Sequence, residues 1–232
     1  MRSFLAGITV CYLPELFEAE NYITGRLLSA SMLQFPEPRN LNALMRSVAK
    51  ESGVSYSDCQ EQAIRQAAST GLLLITGGPG TGKTTLLNGV LRLYRALGIS
   101  CALAAPTGRA AKRLGELCET EASTIHRLLE MEFAEGEGRG HFRRNEQELL
   151  DEHVIIVDEA SMVDNGLMCA LCKAVKPGAR LILIGDADQL PSVGAGRIMG
   201  DLIDCSRFAT VRLTEIFRQA RESLIVTNAH AI

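Results

Sequence analysis

The 232-residue sequence is 47% apolar and 22% charged, as is ordinary for a globular protein with a substantial core. Its 24 basic and 27 acidic residues give a formal net charge of −3, so bulk charge gives no support for a nucleic-acid partner. No apolar run is long enough to cross a membrane, which excludes a membrane-spanning protein.

Residues 1–55 are predicted to form a mainly helical N-terminal element. The apolar start is interrupted by polar residues and lacks a cleavage site, which argues against a signal peptide and favours a strand that enters a helix. Helices are predicted at 14–35, at about 41–51 and at 57–69, the last capped by Ser57.

From residue 56 onward, apolar runs of strand length alternate with helical segments. Continuous apolar runs are typical of strands buried on both faces, so this α/β pattern predicts a parallel sheet covered by helices. Strands are predicted at 72–76, 101–105, 154–157, 181–184 and 209–213, with helices near 83–97, 107–119, 164–175 and 195–204. The glycine-rich, charged segment at about 130–147 is predicted to be an inserted hairpin or loop.

Seven cysteines are scattered along the chain, mostly in apolar runs. They are predicted to be free thiols, which favours a reducing compartment and a cytoplasmic location. Cys169 and Cys172 form a C-x-x-C on a predicted helix, but a structural zinc site needs four ligands and no second pair stands nearby.

A phosphate-binding motif follows the first predicted sheet strand. G-G-P-G-T-G-K-T-T at 77–85 fits G-x-x-x-x-G-K-[ST] between a strand and a helix, where backbone N–H groups can surround phosphate oxygens. The pattern predicts ATP bound with Mg²⁺, Lys83 at the β- and γ-phosphates and Thr84 at the metal. The residues predicted to hold the nucleotide are Gly78, Pro79, Gly80, Thr81, Gly82, Lys83, Thr84 and Thr85.

Two carboxylates stand at the tip of the strand at 154–157. Asp158 is the expected Mg²⁺ partner, and Glu159 is placed to polarise an attacking water. Adjacent acids at a strand end can instead cap a following helix, but their combination with the phosphate-binding motif favours catalysis.

The strand at 181–184 ends in G-D-A-D-Q-L-P-S-V-G-A-G. In a parallel sheet its last residues reach the same edge as the phosphate loop, so Gln189 can contact a γ-phosphate or its attacking water, and Asp186 can order the turn. A plain polar turn is the alternative.

Six segments occur in an order that resembles the motifs of superfamily 1 helicases, and most closely those of RecD-like DNA helicases. They are G-G-P-G-T-G-K-T-T, A-A-P-T-G-R-A-A-K-R-L, S-T-I-H-R-L-L, V-D-E-A-S-M-V-D, G-D-A-D-Q-L-P-S-V-G-A-G and L-T-E-I-F-R-Q-A. The resemblance implies a P-loop NTPase of the RecA-like type, with residues 56–232 as the first motor domain.

The resemblance also assigns roles that spacing alone does not. Gln60 matches a glutamine that reads adenine, with a solvent-facing helix residue as the alternative. Arg218 matches an arginine that reaches the γ-phosphate and could otherwise form a surface salt bridge. Phe217 could stack on the base or belong to the core.

A single-stranded DNA track is implied by the same resemblance. The matching positions are Pro106, Thr107, Arg109, Thr124 and His126, together with Gly194 and Gly196, whose lack of side chains would let a sugar–phosphate backbone approach. His126 could instead be a core histidine, and a solvated helix face is favoured for Lys112 and Arg113. Residues 141–144, H-F-R-R, suit stacking on a base and resemble a duplex-splitting pin, with an exposed charged loop as the alternative.

Helicases of this class close the nucleotide site with a second RecA-like domain, which we do not recognise here. We therefore expect an excised motor domain whose parent chain supplies the second, and which alone binds ATP–Mg²⁺ weakly, hydrolyses it slowly and does not unwind DNA. The expected partners are ATP, single-stranded DNA and a duplex junction, with 5′→3′ travel and no membrane. The alternative from another class is a nucleotide-operated switch that binds a protein and not nucleic acid.

Overall fold

The computed structural model describes residues 2–5, 8–133, 140–189 and 192–215, with side chains from residue 11 onward. The strands are β1 (Arg2–Leu5), β2 (Ile8–Cys11), β3 (Leu72–Gly77), β4 (Cys101–Ala105), β5 (Ser123–Thr124), β6 (Met131–Phe133), β7 (Gly140–Phe142), β8 (Val154–Val157), β9 (Arg180–Gly185) and β10 (Thr210–Leu213). The helices are α1 (Pro14–Ser31), α2 (Leu41–Ser52), α3 (Asp58–Ser69), α4 (Lys83–Ala96), α5 (Gly108–Cys118), α6 (Ile125–Leu128), α7 (Asn165–Ala174) and α8 (Ile198–Asp204).

A parallel sheet organises the molecule. Within the described residues it has six strands in the order β10-β3-β9-β8-β4-β5, and every neighbouring pair is parallel. The α/β fold class predicted from the continuous apolar runs is therefore confirmed. All of these strands end at one edge of the sheet, so the residues that follow them meet there.

Helices cover both faces of the sheet. One buried cluster joins the sheet to α2, α3, α4 and α5, and a second joins it to α1, α6, α7 and α8. Leu41 and Met45 of α2 lie in the first cluster, and Ile23 and Leu27 of α1 lie in the second. The N-terminal helices therefore contribute directly to the core of the sheet domain.

The structure differs from the sequence-based expectation at the N-terminus and before α8. The single strand expected at the N-terminus is two strands, since β1 and β2 pair antiparallel before α1. The helix expected from 195 begins at Ile198, because the preceding segment is held as a loop. In the segment predicted as an insertion, β6 and β7 pair antiparallel.

Among the described residues, no helix has both the length and the apolar character needed to cross a bilayer.

Candidate nucleotide and nucleic-acid site

The loop between β3 and α4 has the backbone of a phosphate cradle. Gly80 and Gly82 have φ of 76° and 81°, a region that side-chain-bearing residues rarely adopt. A Cβ on Gly77 would lie 2.7 Å from Thr81 Oγ1 and 2.8 Å from the Leu213 carbonyl oxygen, so only glycine fits there. The loop therefore depends on glycine both for its turn and for its contact with β10.

Lys83 is held inside this loop. Its Nζ donates hydrogen bonds to the carbonyl oxygens of Gly77 and Gly78, the second at 3.0 Å. Thr81 is buried and donates its hydroxyl to the Gly78 carbonyl at 2.9 Å, while Thr84 and Thr85 are half-buried in the first turn of α4. These carbonyl oxygens leave the positive charge of the ammonium uncompensated, so it is well suited to phosphate oxygens.

Asp158 follows β8 at the same edge. Burial, with a smaller contribution from the Glu159 carboxylate, raises the pKa of its carboxyl to about 6. The Glu159 backbone N–H, Lys83 and Arg113 act in the opposite direction without cancelling the effect. A half-buried carboxyl with a raised pKa is a suitable ligand for a divalent cation, since Mg²⁺ is commonly bound by one or two carboxylates plus substrate phosphates.

Glu159 has a strained backbone. Its φ is 53° and ψ is 37°, the left-handed region that non-glycine residues seldom occupy, and a 3₁₀ turn at Ala160–Met162 follows it. Such strain persists only where the surroundings fix it, and it occurs often at functional sites. The half-buried side chain lies beside Asp158, where a general base is expected.

The turn that carries Gln189 is held beside the phosphate loop by a hydrogen bond between the residues at the ends of β9 and β3. The Ala187 N–H donates to Thr76 Oγ1 at 3.2 Å, and Thr76 is buried at the end of β3. Asp186 orders the turn, since its Oδ1 accepts from the Asp188 N–H at 3.1 Å and its carbonyl accepts from the Gln189 N–H at 3.2 Å. The Gln189 side chain is exposed.

β10 lies beside the phosphate loop, on the opposite side of β3 from β9. It pairs with β3, with Leu213 opposite Gly77, so Thr214 and Glu215 follow it at this edge. Phe217 and Arg218 lie outside the described residues, and their roles stay predictions.

Gln60 is not solvent-facing, since it is 1% exposed. Its Oε1 accepts from the Ser57 N–H at 3.1 Å and its own N–H donates to Ser57 Oγ at 3.4 Å, which forms a capping box at the start of α3. Its Nε2 also donates to the Gly82 carbonyl at 3.3 Å. Gln60 therefore lies against the phosphate loop, and both the Oε1 and the Nε2 of its side chain are hydrogen-bonded.

The residues predicted to line a DNA track lie at the ends of β4 and β5, on the same edge. Thr107 caps α5 by accepting from the Ala110 N–H, and Thr124 caps α6 by accepting from the Arg127 N–H. Pro106 is half-buried and Arg109 is exposed, as are Lys112 and Arg113. His126 is exposed too, so it is not a core histidine, and its ring lies 5.8 Å from that of Phe142.

Gly194 and Gly196 contact the protein itself. A Cβ on Gly194 would lie 2.3 Å from Asp164 Oδ2, and one on Gly196 would lie 1.9 Å from Asn165 Oδ1. The N-terminus of α7 therefore approaches both glycines closely. Their role in admitting a nucleic-acid backbone stays a prediction.

The charges beside β7 are paired. Arg143 contacts Glu130 at 3.1 Å and Glu148 at 2.8 Å, and Arg144 contacts Glu130 at 2.9 Å. These ion pairs hold the residues on either side of β6 and β7 together, so the guanidinium groups of Arg143 and Arg144 are both engaged.

The C-x-x-C cysteines lie on α7 as free thiols, and burial raises the pKa of Cys172 to about 12. Among the described residues, no group of three or more histidine, cysteine or acidic side chains is arranged to hold a metal ion.

Sequence reasoning missed two contributors to this edge. Thr76 reads as one more strand residue, although it joins β3 to the Gln189 turn. Asn165 has no sequence signal beyond its position after the acidic segment at 158–164.

Comparison with known proteins agrees with this geometry. The family model described as AAA domain matches residues 55–232. The chain is 39% identical over 221 residues to the ATP-dependent RecD2 DNA helicase of Deinococcus radiodurans, covering 95% of this chain and 30% of that protein. It is 44% identical over 171 residues to the RecBCD enzyme subunit RecD of Mycobacterium tuberculosis, covering 63% of this chain and 29% of the relative.

The fold also matches a crystal structure of the Pif1 helicase from Candida albicans. The TM-score is 0.51 at 28% identity, covering 72% of this chain and 41% of that one. The chain thus spans about 30% of the length of the two curated relatives. From the ordered motifs, the phosphate cradle and these matches, we conclude that the chain belongs to the AAA domain family and carries a RecD-like superfamily 1 helicase motor domain.

Proposed function

We propose that this chain is the ATP-hydrolysing first motor domain of a DNA helicase that moves on single-stranded DNA. The observation that carries the proposal is the meeting of the Lys83 loop, the Asp158 carboxyl and the Gln189 turn at one edge of the sheet. Thr107 and the exposed Arg109 follow β4 at that edge and Thr124 is the last residue of β5, so nucleotide and DNA would share it.

The nucleotide would bind with its triphosphate on the loop at residues 78–85. Backbone N–H groups and the N-terminus of α4 attract the phosphates, and Lys83 would exchange its carbonyl partners for β- and γ-phosphate oxygens. Gln60, now bonded to Gly82, would read the adenine edge with Phe217 stacked beside it.

Asp158 and the Thr84 hydroxyl would hold Mg²⁺, which would neutralise charge on the phosphates. Glu159 and Gln189 would orient the attacking water in line with the γ-phosphate, Glu159 accepting its proton. Lys83 and Arg218 would stabilise the charge that develops on the transferred group.

The DNA track would run across the ends of β4 and β5. Pro106, Thr107, Arg109, Thr124 and His126 would contact the strand there, and Gly194 and Gly196, which also pack against α7, would let its sugar–phosphate backbone approach. We further propose 5′→3′ movement, a cytoplasmic location and a second motor domain in the parent chain that closes the nucleotide site.

The test is ATP hydrolysis by the full-length protein with and without a single-stranded oligonucleotide, with Lys83→Ala as the inactive control. We expect stimulation by the oligonucleotide that Lys83→Ala abolishes. Unwinding of duplexes with a 5′ or a 3′ overhang then reports polarity. ATP hydrolysis that single-stranded DNA does not stimulate would favour a nucleotide-operated protein-binding switch, which the helicase relatives do not favour.

A further inference from the structure

The loop that follows Gln189 is seated on the N-terminus of α7. Ser192 Oγ bridges the carbonyl oxygens of Gly194 and Gly196, at 3.0 Å from each, which makes the loop at residues 192–197 a compact unit. The two glycines then abut Asp164 and Asn165 so closely that no Cβ would fit between them. Two residues outside the described part separate this unit from Gln189.

Asn165 makes three separate contacts at this junction. It is 3% exposed, and its backbone N–H donates to the Ala195 carbonyl at 2.9 Å. Its Oδ1 faces Gly196, while its Nδ2 donates to Glu20 Oε1 at 2.9 Å. A buried carboxamide with both ends occupied has one orientation, because turning it over would place its N–H₂ against Gly196 and its oxygen against a carboxylate.

Glu20 is fixed in turn by the way that α1 packs on α7. Six residues further along α1, Arg26 donates to the carbonyl oxygens of Cys172 at 3.2 Å and Val175 at 2.5 Å, at the C-terminal end of α7. The two helices therefore run in the same direction, with a carboxylate near the N-terminus of α7 and a guanidinium near its C-terminus. Each charge complements the helix dipole, so α1 holds α7 at both ends.

The same N-terminus is covalently continuous with the proposed catalytic carboxylates. Glu159 precedes Asn165 by six residues, through the 3₁₀ turn and the buried Val163. Asn165 thus joins the segment that carries Asp158 and Glu159 to the loop at residues 192–197, which begins three residues after Gln189. Movement of this loop away from α7 would break the backbone hydrogen bond from Asn165 to Ala195 and separate its carboxamide from Gly196.

We propose that Asn165 is a positioning residue for ATP hydrolysis, which holds Gln189 in place relative to Glu159, with Glu20 fixing its carboxamide. The inference rests on the proposed function, in which these two groups orient the attacking water. A group that acts only through the placement of Gln189 should affect turnover and leave nucleotide affinity unchanged, because the phosphate loop and Lys83 do not touch it.

The test uses the full-length protein with saturating single-stranded DNA and four variants. Asn165→Asp sets two carboxylates against each other and is expected to lower kcat about tenfold or more with KM for ATP unchanged, as a misplacement near 1 Å can. Glu20→Gln keeps an acceptor for Asn165 and should resemble wild type. The double variant Glu20→Gln/Asn165→Asp reverses the hydrogen bond and should recover kcat to within about threefold. Asn21→Asp, on the exposed side of α1, is the matched control.

One control measurement separates positioning from general damage. The stoichiometry of nucleotide binding must stay at the wild-type value, so that lost kcat does not reflect lost folded protein. Wild-type kcat in Asn165→Asp, or a double variant as slow as Asn165→Asp alone, would overturn the inference.

If Asn165→Asp does not fold, Glu20→Ala decides the matter, because it removes the acceptor without adding a repulsive charge. We expect a loss of kcat of about threefold or more at constant KM, and wild-type kcat would overturn the inference. A wild-type protein that shows no DNA-stimulated ATP hydrolysis contradicts the proposed function instead, a result that these variants do not influence.

Discussion

Neutralising Asp158 should stabilise the nucleotide-free protein at neutral and alkaline pH. Burial raises the pKa of this carboxyl to about 6 from the ordinary value of 3.8. Between these pH values the folded protein retains a proton that the unfolded chain has released. The free energy of unfolding therefore falls as pH rises from about 4 to 6 and then stays lower, because the ionised carboxylate is held in a buried place.

The size of the effect follows from the two pKa values. At about 1.4 kcal/mol per pH unit, a rise from 3.8 to about 6 corresponds to a penalty of about 3 kcal/mol at pH 8, and to little at pH 4. Asp158→Asn has the same shape without the charge and should escape this penalty. The same variant should lose Mg²⁺-dependent binding of ATP. The Asp158 carboxylate would then serve function while lowering the stability of the nucleotide-free protein.

The assay is urea denaturation of both proteins at pH 4, 6 and 8 without nucleotide, in a chelator. Asp158→Asn should gain stability relative to wild type as pH rises, by up to about 3 kcal/mol between pH 4 and 8. Asp201→Asn, which removes an exposed carboxylate on α8, is the control and should show no comparable pH dependence. A stability difference between Asp158→Asn and wild type that stays constant over this range would refute the burial argument.

Three further outcomes are expected. Gly196→Ala should lower the free energy of unfolding by about 3 kcal/mol or more in urea denaturation, since φ is 108° and the new Cβ would meet Asn165. Gly178→Ala, where φ is 84° and the space is open, should cost only about 1–2 kcal/mol. Equal losses in the two variants would contradict the packing of Gly196 on Asn165. Ser57→Ala should cost about 1 kcal/mol by the same measurement, because it removes the capping box, and no loss would exclude that role. Arg109→Ala in the full-length protein should reduce by about one the slope of log K for single-stranded DNA binding against log salt concentration. Arg95→Ala, at the far end of α4, should leave this slope unchanged. Identical slopes for the two variants would argue against the DNA track.

Much of the fold could be predicted because its signals are local. The run at 72–76 is too apolar for a strand with a solvated face, so it predicted a buried parallel strand, and β3 confirms it. Ser57 followed three residues later by Gln60 is a capping pattern that needs only neighbouring residues, and the helix begins there. Proline in the first turn of α1 acts in the same local way.

The short elements could not be predicted for the opposite reason. β5 has two residues, too few for any periodicity, and it exists because β4 offers free hydrogen-bonding groups. β2 forms in the same way by pairing with β1, a contact that the apolar start of the chain does not reveal. The sequence also predicted the start of α8 three residues too early, because Ser192 and α7 hold the preceding glycines in a loop.

The sequence by itself determined the chemistry of the phosphate site and the order of its parts. Lys83, Asp158 and Gln189 stand at strand ends whose apolar runs already indicate one parallel sheet, and parallel strands bring their ends to one edge. Only the tertiary structure decided which groups touch. The raised pKa of Asp158 depends on burial by residues from other parts of the chain. Asn165 likewise contacts Gly196 and Glu20, which lie far from it in the sequence. Such contacts depend on packing that no local pattern records.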